Sequence, residues 1–403
     1  MSIDRQSGAG ANQEAVRRHN LGTLLGHVHH REQISRAELT SRMKLNRSTI
    51  AGLVGELEAL QIVEQTNPTG ERTGAGRPSL DVRPGRHEVF VIAIELRVDM
   101  VSAARVGLGG HVLDRAVAAA SASHEPRDVA RTVAELIRRL LADAPRPSSL
   151  VGIGGGLPGV VGVDTGMIAF APNLAWTDVP FAQLLRDEVG DLAEITLGND
   201  ADLGVLSEHI RGAGAGFDDV VYLAGDVGVG GGVIAGGRAL QGSGGYAGEV
   251  GHMRTKADGR DCRCGSSGCW ETEIGAAAVA AAVGCRPEDL DVLAARLGEV
   301  DEPSEALVRV GHELGVGLGN IVNLFNPKVI ILGGLLRDVY PVVRGAADRA
   351  MQAGALSVSA EQTAVVLPAL GGDSVLLGAA ELAFGPLLMD PARVLQDAAA
   401  AQG

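Results

Sequence analysis

Three of the four cysteines in this 403-residue chain, Cys262, Cys264 and Cys269, fall within eight residues on a loop that also carries Gly265 and Gly268. So close a spacing suits a metal better than a disulfide framework. Three thiolates and one imidazole make a closed tetrahedral zinc site, and His252, ten residues upstream, is the natural fourth ligand. With every position filled by protein, one zinc per chain would be structural, pinning the loop that carries Glu271 beside Glu249. Cys285 stands outside the cluster and is expected to be structural.

A second set of chemistry-bearing residues lies near the N-terminus. Helical spacing from Glu14 to about His30 (Val16, Leu21, Leu24, Leu25, Val28) predicts a first helix. Ser35, with Glu38 three residues on, reads as a capping box opening a second helix over 36–43. The turn Lys44-Leu45-Asn46 leads to a third helix with an inner stripe of Ile50, Leu53, Val54, Leu57 and Leu60. Its outward start carries Arg47, Ser48 and Thr49. Two short helices across a tight turn, the second beginning with such residues, form a helix-turn-helix able to enter a major groove. The strand Ile62-Val63-Glu64-Gln65 and the Gly/Thr/Arg stretch from Thr69 to Pro78 then read as a wing. Arg36, Asn46, Arg47, Ser48, Thr49, Arg72 and Arg77 are the candidate contacts to double-stranded operator DNA.

Composition fits this division. The formal charge of −14 argues against nucleic acid covering the whole surface. Residues 1–85, however, hold eleven basic and nine acidic side chains, a net of +2 that leaves −16 for the rest. There is no membrane-length apolar run or secretory leader, so a soluble cytoplasmic protein is expected. Past Pro84 the pattern turns α/β. Apolar runs at Val89–Leu96 and Met100–Val106 predict a buried hairpin, and 127–141 a helix. Further strands are expected at 194–197, 220–223 and 329–332, and one runs into Gly152–Gly159. Gly-rich strand ends are read as places where backbone approaches a ligand.

Over nearly its whole length the chain resembles the ROK family (repressors, open reading frames and kinases), specifically its regulator branch. The likeness rests on the helix-turn-helix, Leu157-Pro158-Gly159, Ala171-Pro172-Asn173-Leu174, Gly198-Asn199-Asp200-Ala201 and Gly248-Glu249-Val250-Gly251-His252. It extends through Cys262-Arg263-Cys264-Gly265-Ser266-Ser267-Gly268-Cys269-Trp270-Glu271, Asn326-Pro327 and Gly333-Gly334. The resemblance implies a two-lobed, actin-like ATPase fold and a homodimer or homotetramer. It also implies an effector sugar site lined by Asn173, Asn199, Asp200, Glu249, His252 and Glu271, with Asp200 at the family's catalytic-base position. The expected layout is a winged helix-turn-helix over 1–85, lobe I over 86–200 with a C-terminal helix 378–398 packing back on it, and lobe II over 201–377.

Two turns depart from the kinases of that family. Glu95-Leu96-Arg97-Val98-Asp99-Met100 has neither glycine nor hydroxyl where an Asp-x-Gly-Gly-Thr-like turn would hold ATP phosphates, and it adds carboxylates. The second turn has Asp226-Val227 in place of Gly-Thr. The expectation is therefore a sugar-controlled transcriptional regulator that binds no ATP. The alternatives are a bifunctional sugar kinase with a DNA-binding head, and a regulator answering to a phosphosugar or a protein.

Overall fold

The computed structural model describes residues 7–67, 79–85, 89–121, 123–144, 149–162, 165–287 and 290–401. The N-terminal region comprises α1 (Ser7–His29), β1 (Ile34–Ser35), α2 (Arg36–Met43), α3 (Arg47–Ala59), β2 (Val63–Thr66) and β3 (Asp81–Pro84). Local side chains fix its boundaries. Ser35 Oγ accepts the Glu38 N–H at 3.1 Å, while the Glu38 carboxylate turns to Arg42 instead of closing the expected box. Lys44 ends α2 in the left-handed region (φ 54°), and Asn46 caps α3 by accepting the Thr49 N–H at 2.8 Å. β3 pairs antiparallel with both β1 and β2. Arg72 and Arg77 lie outside the described residues.

Among the described residues, the head and the next unit share one core. Leu21, Leu24, Leu25, Val28, Leu39, Ile50 and Leu57 are buried in the same apolar cluster as Val89, Val91, Val106, Phe384 and Leu387 of the next unit.

That unit contains β4 (Val89–Leu96), β5 (Met100–Gly107), β6 (His111–Ala119), α4 (Pro126–Ala142), β7 (Ser149–Leu157), the small antiparallel sheet of β8 (Val160–Gly162), β9 (Met167–Ala171) and β10 (Trp176–Val179), α5 (Phe181–Val189) and β11 (Ile195–Asn199). The main sheet runs β11-β7-β4-β5-β6, parallel over its first three strands and antiparallel beyond. The helices α4 and α5 cover one face.

The second unit begins with α6 (Asp200–Arg211) and has the sheet β14-β13-β12-β15-β16, from β12 (Val220–Gly225), β13 (Val229–Ala235), β14 (Arg238–Ala239), β15 (Val329–Gly334) and β16 (Ala364–Val366). Five of its helices, α7 (Glu271–Ile274), α8 (Ala276–Val283), α9 (Leu290–Gly298), α10 (Glu305–Phe325) and α11 (Leu336–Gly354), build the outer layer, and α12 (Ser357–Ala360) follows α11. The chain then returns to the first sheet through α13 (Ser374–Met389) and α14 (Pro391–Ala401).

Two expectations are corrected here. The C-terminal helix expected over 378–398 is two helices, interrupted at Asp390 (φ −144°, ψ 79°), where the residue before Pro391 is kept out of the helical region. The glycines of 152–156 lie inside β7, not in a ligand-facing turn. A methyl on Gly152 would sit 2.6 Å from the Ala383 carbonyl oxygen, so that glycine lets α13 lie directly on the sheet. Beyond its first residue, and apart from Glu381, α13 is apolar on all faces because β4 and β7 cover one side and α6 the other. The pair α6 and α13 thus separates the two sheets.

Candidate effector and metal site

Strand ends from both units converge on one cleft. The first unit contributes Pro158 and Gly159 after β7, Phe170 and Asn173 beside the β9–β10 turn, and Asn199 and Asp200 where β11 passes into α6. The second contributes the β12–β13 turn Asp226–Gly230, and Glu249, His252 and Glu271. All six residues of the expected sugar site line this cleft, although they are spread over almost a hundred positions of sequence.

Their polar atoms are not equally free. The Asn199 Oδ1 accepts the N–H groups of Ala201 (2.8 Å) and Asp202 (3.2 Å), while its Nδ2 donates to the Gly159 carbonyl at 2.8 Å. Most of that amide therefore caps α6 and ties it to the β7 loop. Asn173 Oδ1 accepts from Arg263 at 3.1 Å, which turns its amide nitrogen toward Gly228. Asp200 is pushed up to about 7 by burial and by Asp226 nearby. Burial also raises Glu249, against the opposing pull of His252. Glu271 Oε2 accepts the Val229 N–H at 3.2 Å.

The metal ligands meet as expected. The donor atoms of His252, Cys262, Cys264 and Cys269 all lie within 4.8 Å of one another. The His252 Nδ1 to Cys262 Sγ and the Cys264 Sγ to Cys269 Sγ separations are both 3.7 Å. A tetrahedral ion bonded to sulfur at about 2.3 Å and to nitrogen at about 2.1 Å needs ligand–ligand edges of roughly 3.6–3.8 Å, so these residues fit a metal. Burial raises the Cys262 and Cys269 thiols, and the Cys262 S–H donates to Glu271 Oε1 at 2.8 Å. The fully buried Trp270 anchors the loop through an indole N–H donated to the Glu313 carbonyl at 2.8 Å. Cys285 lies apart, packed at the edge of the second unit's core.

A second cleft adjoins the first and is lined by Glu95, Arg97, Asp200, Asp226, Asp291, Arg337 and Asp338. Burial and the Asp226 carboxylate push Glu95 up to about 8. Five carboxyl groups against two guanidiniums make poor surroundings for a triphosphate. Sequence reasoning assigned Arg97 and Asp226 to altered phosphate turns but missed that both also line the first cleft. Arg263 was missed outright, though its place between two metal ligands puts it on the loop they fix.

On the head, Asn46, Arg47 and Ser48 are exposed and Thr49 is half-buried. Arg47 makes no ion pair among the described residues. The Ser48 and Thr49 hydroxyls donate to Asn46 Oδ1 at 2.7 and 3.0 Å, and Arg36 donates to Gln65 Oε1 at 3.2 Å.

Residues 91–385 match the model of the ROK family. The chain is 30% identical over 340 residues to the xylose repressor of Bacillus subtilis (strain 168), covering 83% of this chain and 86% of that one. It is 31% identical over 262 residues to a glucokinase of Halalkalibacterium halodurans, covering 60% and 79%. A solved ROK family transcriptional regulator, described as a homolog of the E. coli MLC protein, superimposes with a TM-score of 0.73 at 21% identity, over 96% of this chain and all of that one.

Proposed function

The chain belongs to the ROK family, and on that premise we propose that it is a sugar-responsive transcriptional repressor of carbohydrate-use genes, acting in the cytoplasm as a homodimer or homotetramer. The observation that carries this reading is the union of two features. A helix-turn-helix with an uncommitted Arg47 shares one core with a sugar-kinase-like unit, and the nucleotide side of that unit is walled by carboxylates. Residues 1–85 are the winged DNA-binding head, with Arg36, Asn46, Arg47, Ser48 and Thr49 toward the major groove and Arg72 and Arg77 on the wing. Residues 86–200 with the C-terminal helices form lobe I, and 201–377 form lobe II.

The effector is a small, uncharged sugar, with D-xylose the first candidate on the strength of the repressor relatives. Asp200, Glu249 and Glu271 supply acceptors for its hydroxyls, Asn173 and His252 supply donors, and Asn199 holds the end of α6 in place. A site built to pair hydroxyls discriminates against an analogue lacking one, because its own buried groups are left unsatisfied. The metal is one zinc held by His252, Cys262, Cys264 and Cys269. Zinc there closes the loop and leaves no open position for catalysis.

Sugar bound between the lobes changes their angle and, through the heads, the affinity for operator DNA. The ligand can shift that equilibrium only by its differential affinity for the two arrangements. The test is DNA binding by the purified full-length chain with and without D-xylose. Equal affinity across a panel of neutral pentoses and hexoses overturns the reading. The glucokinase relatives and the retained Asp200 carboxyl favour one second reading, a kinase with a DNA-binding head. Sugar phosphate formed from ATP, magnesium and sugar, and lost in Asp200→Asn, establishes it.

A further inference from the structure

Helix α6 has one end in the effector cleft and the other against the DNA-reading head. Its first residue is Asp200, and its twelve residues span about 18 Å. At the far end, Arg211 donates from Nη1 to the Gly109 carbonyl at 2.7 Å and reaches the His29 carbonyl at 3.4 Å. Its Nε and Nη2 grip Glu381 Oε1. His29, the last residue of α1, is fully buried. Its Nδ1 accepts the Gly109 N–H at 3.1 Å, and its Nε2 lies 3.0 Å from Glu381 Oε2 and 3.1 Å from Arg211 Nη2. One buried knot therefore joins four elements: the end of α1, the β5–β6 turn, α13 and the end of α6.

The helix is held just as closely along its length. Toward lobe II, Ala201 and Val205 pack on Val220, Tyr222 and Ile234, and Gly232 admits the Ala201 backbone so closely that a methyl there would collide with it. Toward lobe I, the Leu203 backbone meets Gly378 of α13. The Glu208 carboxylate accepts the N–H groups of Ala213, Ala369 and Leu370 and the Ser374 hydroxyl. The contact of α6 with α13 is therefore where the two lobes meet, and a change of lobe angle bears on it. Packed interfaces of this kind switch between discrete arrangements instead of deforming smoothly.

We propose that Arg211 is the positioning residue through which effector binding at the start of α6 reaches the head, by shifting the guanidinium that holds His29 and Glu381 at the end of α1. This rests on the sugar-responsive reading above. It assigns the transmission to a side chain that touches neither sugar nor DNA.

The experiment uses the full-length protein, D-xylose and a duplex that the wild-type protein selects from a randomised library. The quantity read is the ratio of DNA Kd with saturating sugar to DNA Kd without it; in allosteric proteins such ratios run at about 5–150-fold. Arg211→Gln should bring the ratio below about 2-fold while sugar Kd and zinc content stay within about threefold of wild type. Arg211→Lys, which keeps the charge but not the fork, should restore part of it. Arg211→Gln can fail to fold by leaving Glu381 a lone buried charge. In that case the double variant Arg211→Met with Glu381→Leu removes both charges at similar volume, and the same loss of coupling is expected. A folded variant of either kind that keeps the wild-type ratio overturns the proposal. A wild-type ratio of one for every sugar tested instead overturns the functional reading beneath it.

Discussion

Cys262 and Glu271 meet at 2.8 Å, sulfur to Oε1, while the other oxygen of the same carboxylate accepts the Val229 N–H in the cleft wall. One side chain thus touches both the cysteine loop and the wall of the cleft. Cys264→Ser should lose the metal and weaken sugar binding by about tenfold or more, roughly 1.4 kcal/mol. Metal content by elemental analysis and sugar affinity by calorimetry check both effects. A metal-free Cys264→Ser protein with wild-type sugar affinity would separate the two sites.

Gly228 lies between two proposed sugar contacts. A methyl there would sit 2.7 Å from Glu271 Oε2 and 3.0 Å from Asn173 Nδ2. Gly228→Ala should therefore push both groups aside and cost about 1–3 kcal/mol of sugar affinity. Thermal stability and zinc content should change little, since the colliding atoms are side-chain ends. Titration of the variant with D-xylose gives the answer.

On the head, Arg47→Ala should cost about 1–3 kcal/mol of operator affinity if the guanidinium makes a forked base contact. Asn46→Ala acts differently. It removes the cap of α3, lowering stability by about 1 kcal/mol, and releases the Ser48 and Thr49 hydroxyls. Competition binding against sequence variants of the operator distinguishes lost base reading from lost helix order.

The knot at the end of α1 also sets a pH dependence. Burial alone would raise Glu381, but His29 and Arg211 outweigh it and hold the carboxyl down to about 2. A carboxyl depressed in the folded state stabilises above its ordinary value near 4.5, and that contribution is lost as pH falls toward 2. His30, brought down to about 4 chiefly by burial, acts in the same direction between 6.5 and 4, because the unfolded chain takes up its proton first. Asp200, Asp202 and Glu95, raised chiefly by burial to about 7, about 7 and about 8, act the other way, since their contributions fade as pH rises from about 4 into that range. The contribution of Glu381 is therefore read as the difference between the wild type and Glu381→Gln in denaturant unfolding at pH 6.5, 5, 4 and 3. Glu381→Gln should start lower and fall less steeply below pH 4.5; an unchanged slope would remove Glu381 from the account.

What was legible in the sequence is what neighbours in sequence decide. The three cysteines share one loop and Ser35 caps the helix that follows it, so the metal cluster and the head could be found by spacing, whereas Asn46 was read as part of the turn and not as the cap of α3. The Gly152–Gly156 run was misread because its reason, the backbone of α13, lies more than two hundred residues away. The break before Pro391 was visible in principle, yet the apolar run on both sides hid it. Asn199 lines the cleft with the other expected residues, but its amide is occupied by the α6 cap. Nothing local marks His29, Arg211 and Glu381 as partners, since only the packing of α1 and α6 on α13 brings them together.

The core shared by the head and lobe I bears on how such repressors diversify. A cut at residue 85 looks like a natural seam in the sequence, yet it would strip Leu21, Leu25 and Val28 of their cover. A head grafted from a relative would have to bring a residue as small as Gly22 to the Leu388 carbonyl and a histidine to Glu381. Shuffling whole heads is therefore a poor route to a new operator. New recognition is more readily acquired by point changes at the exposed start of α3, at Arg47 and Ser48.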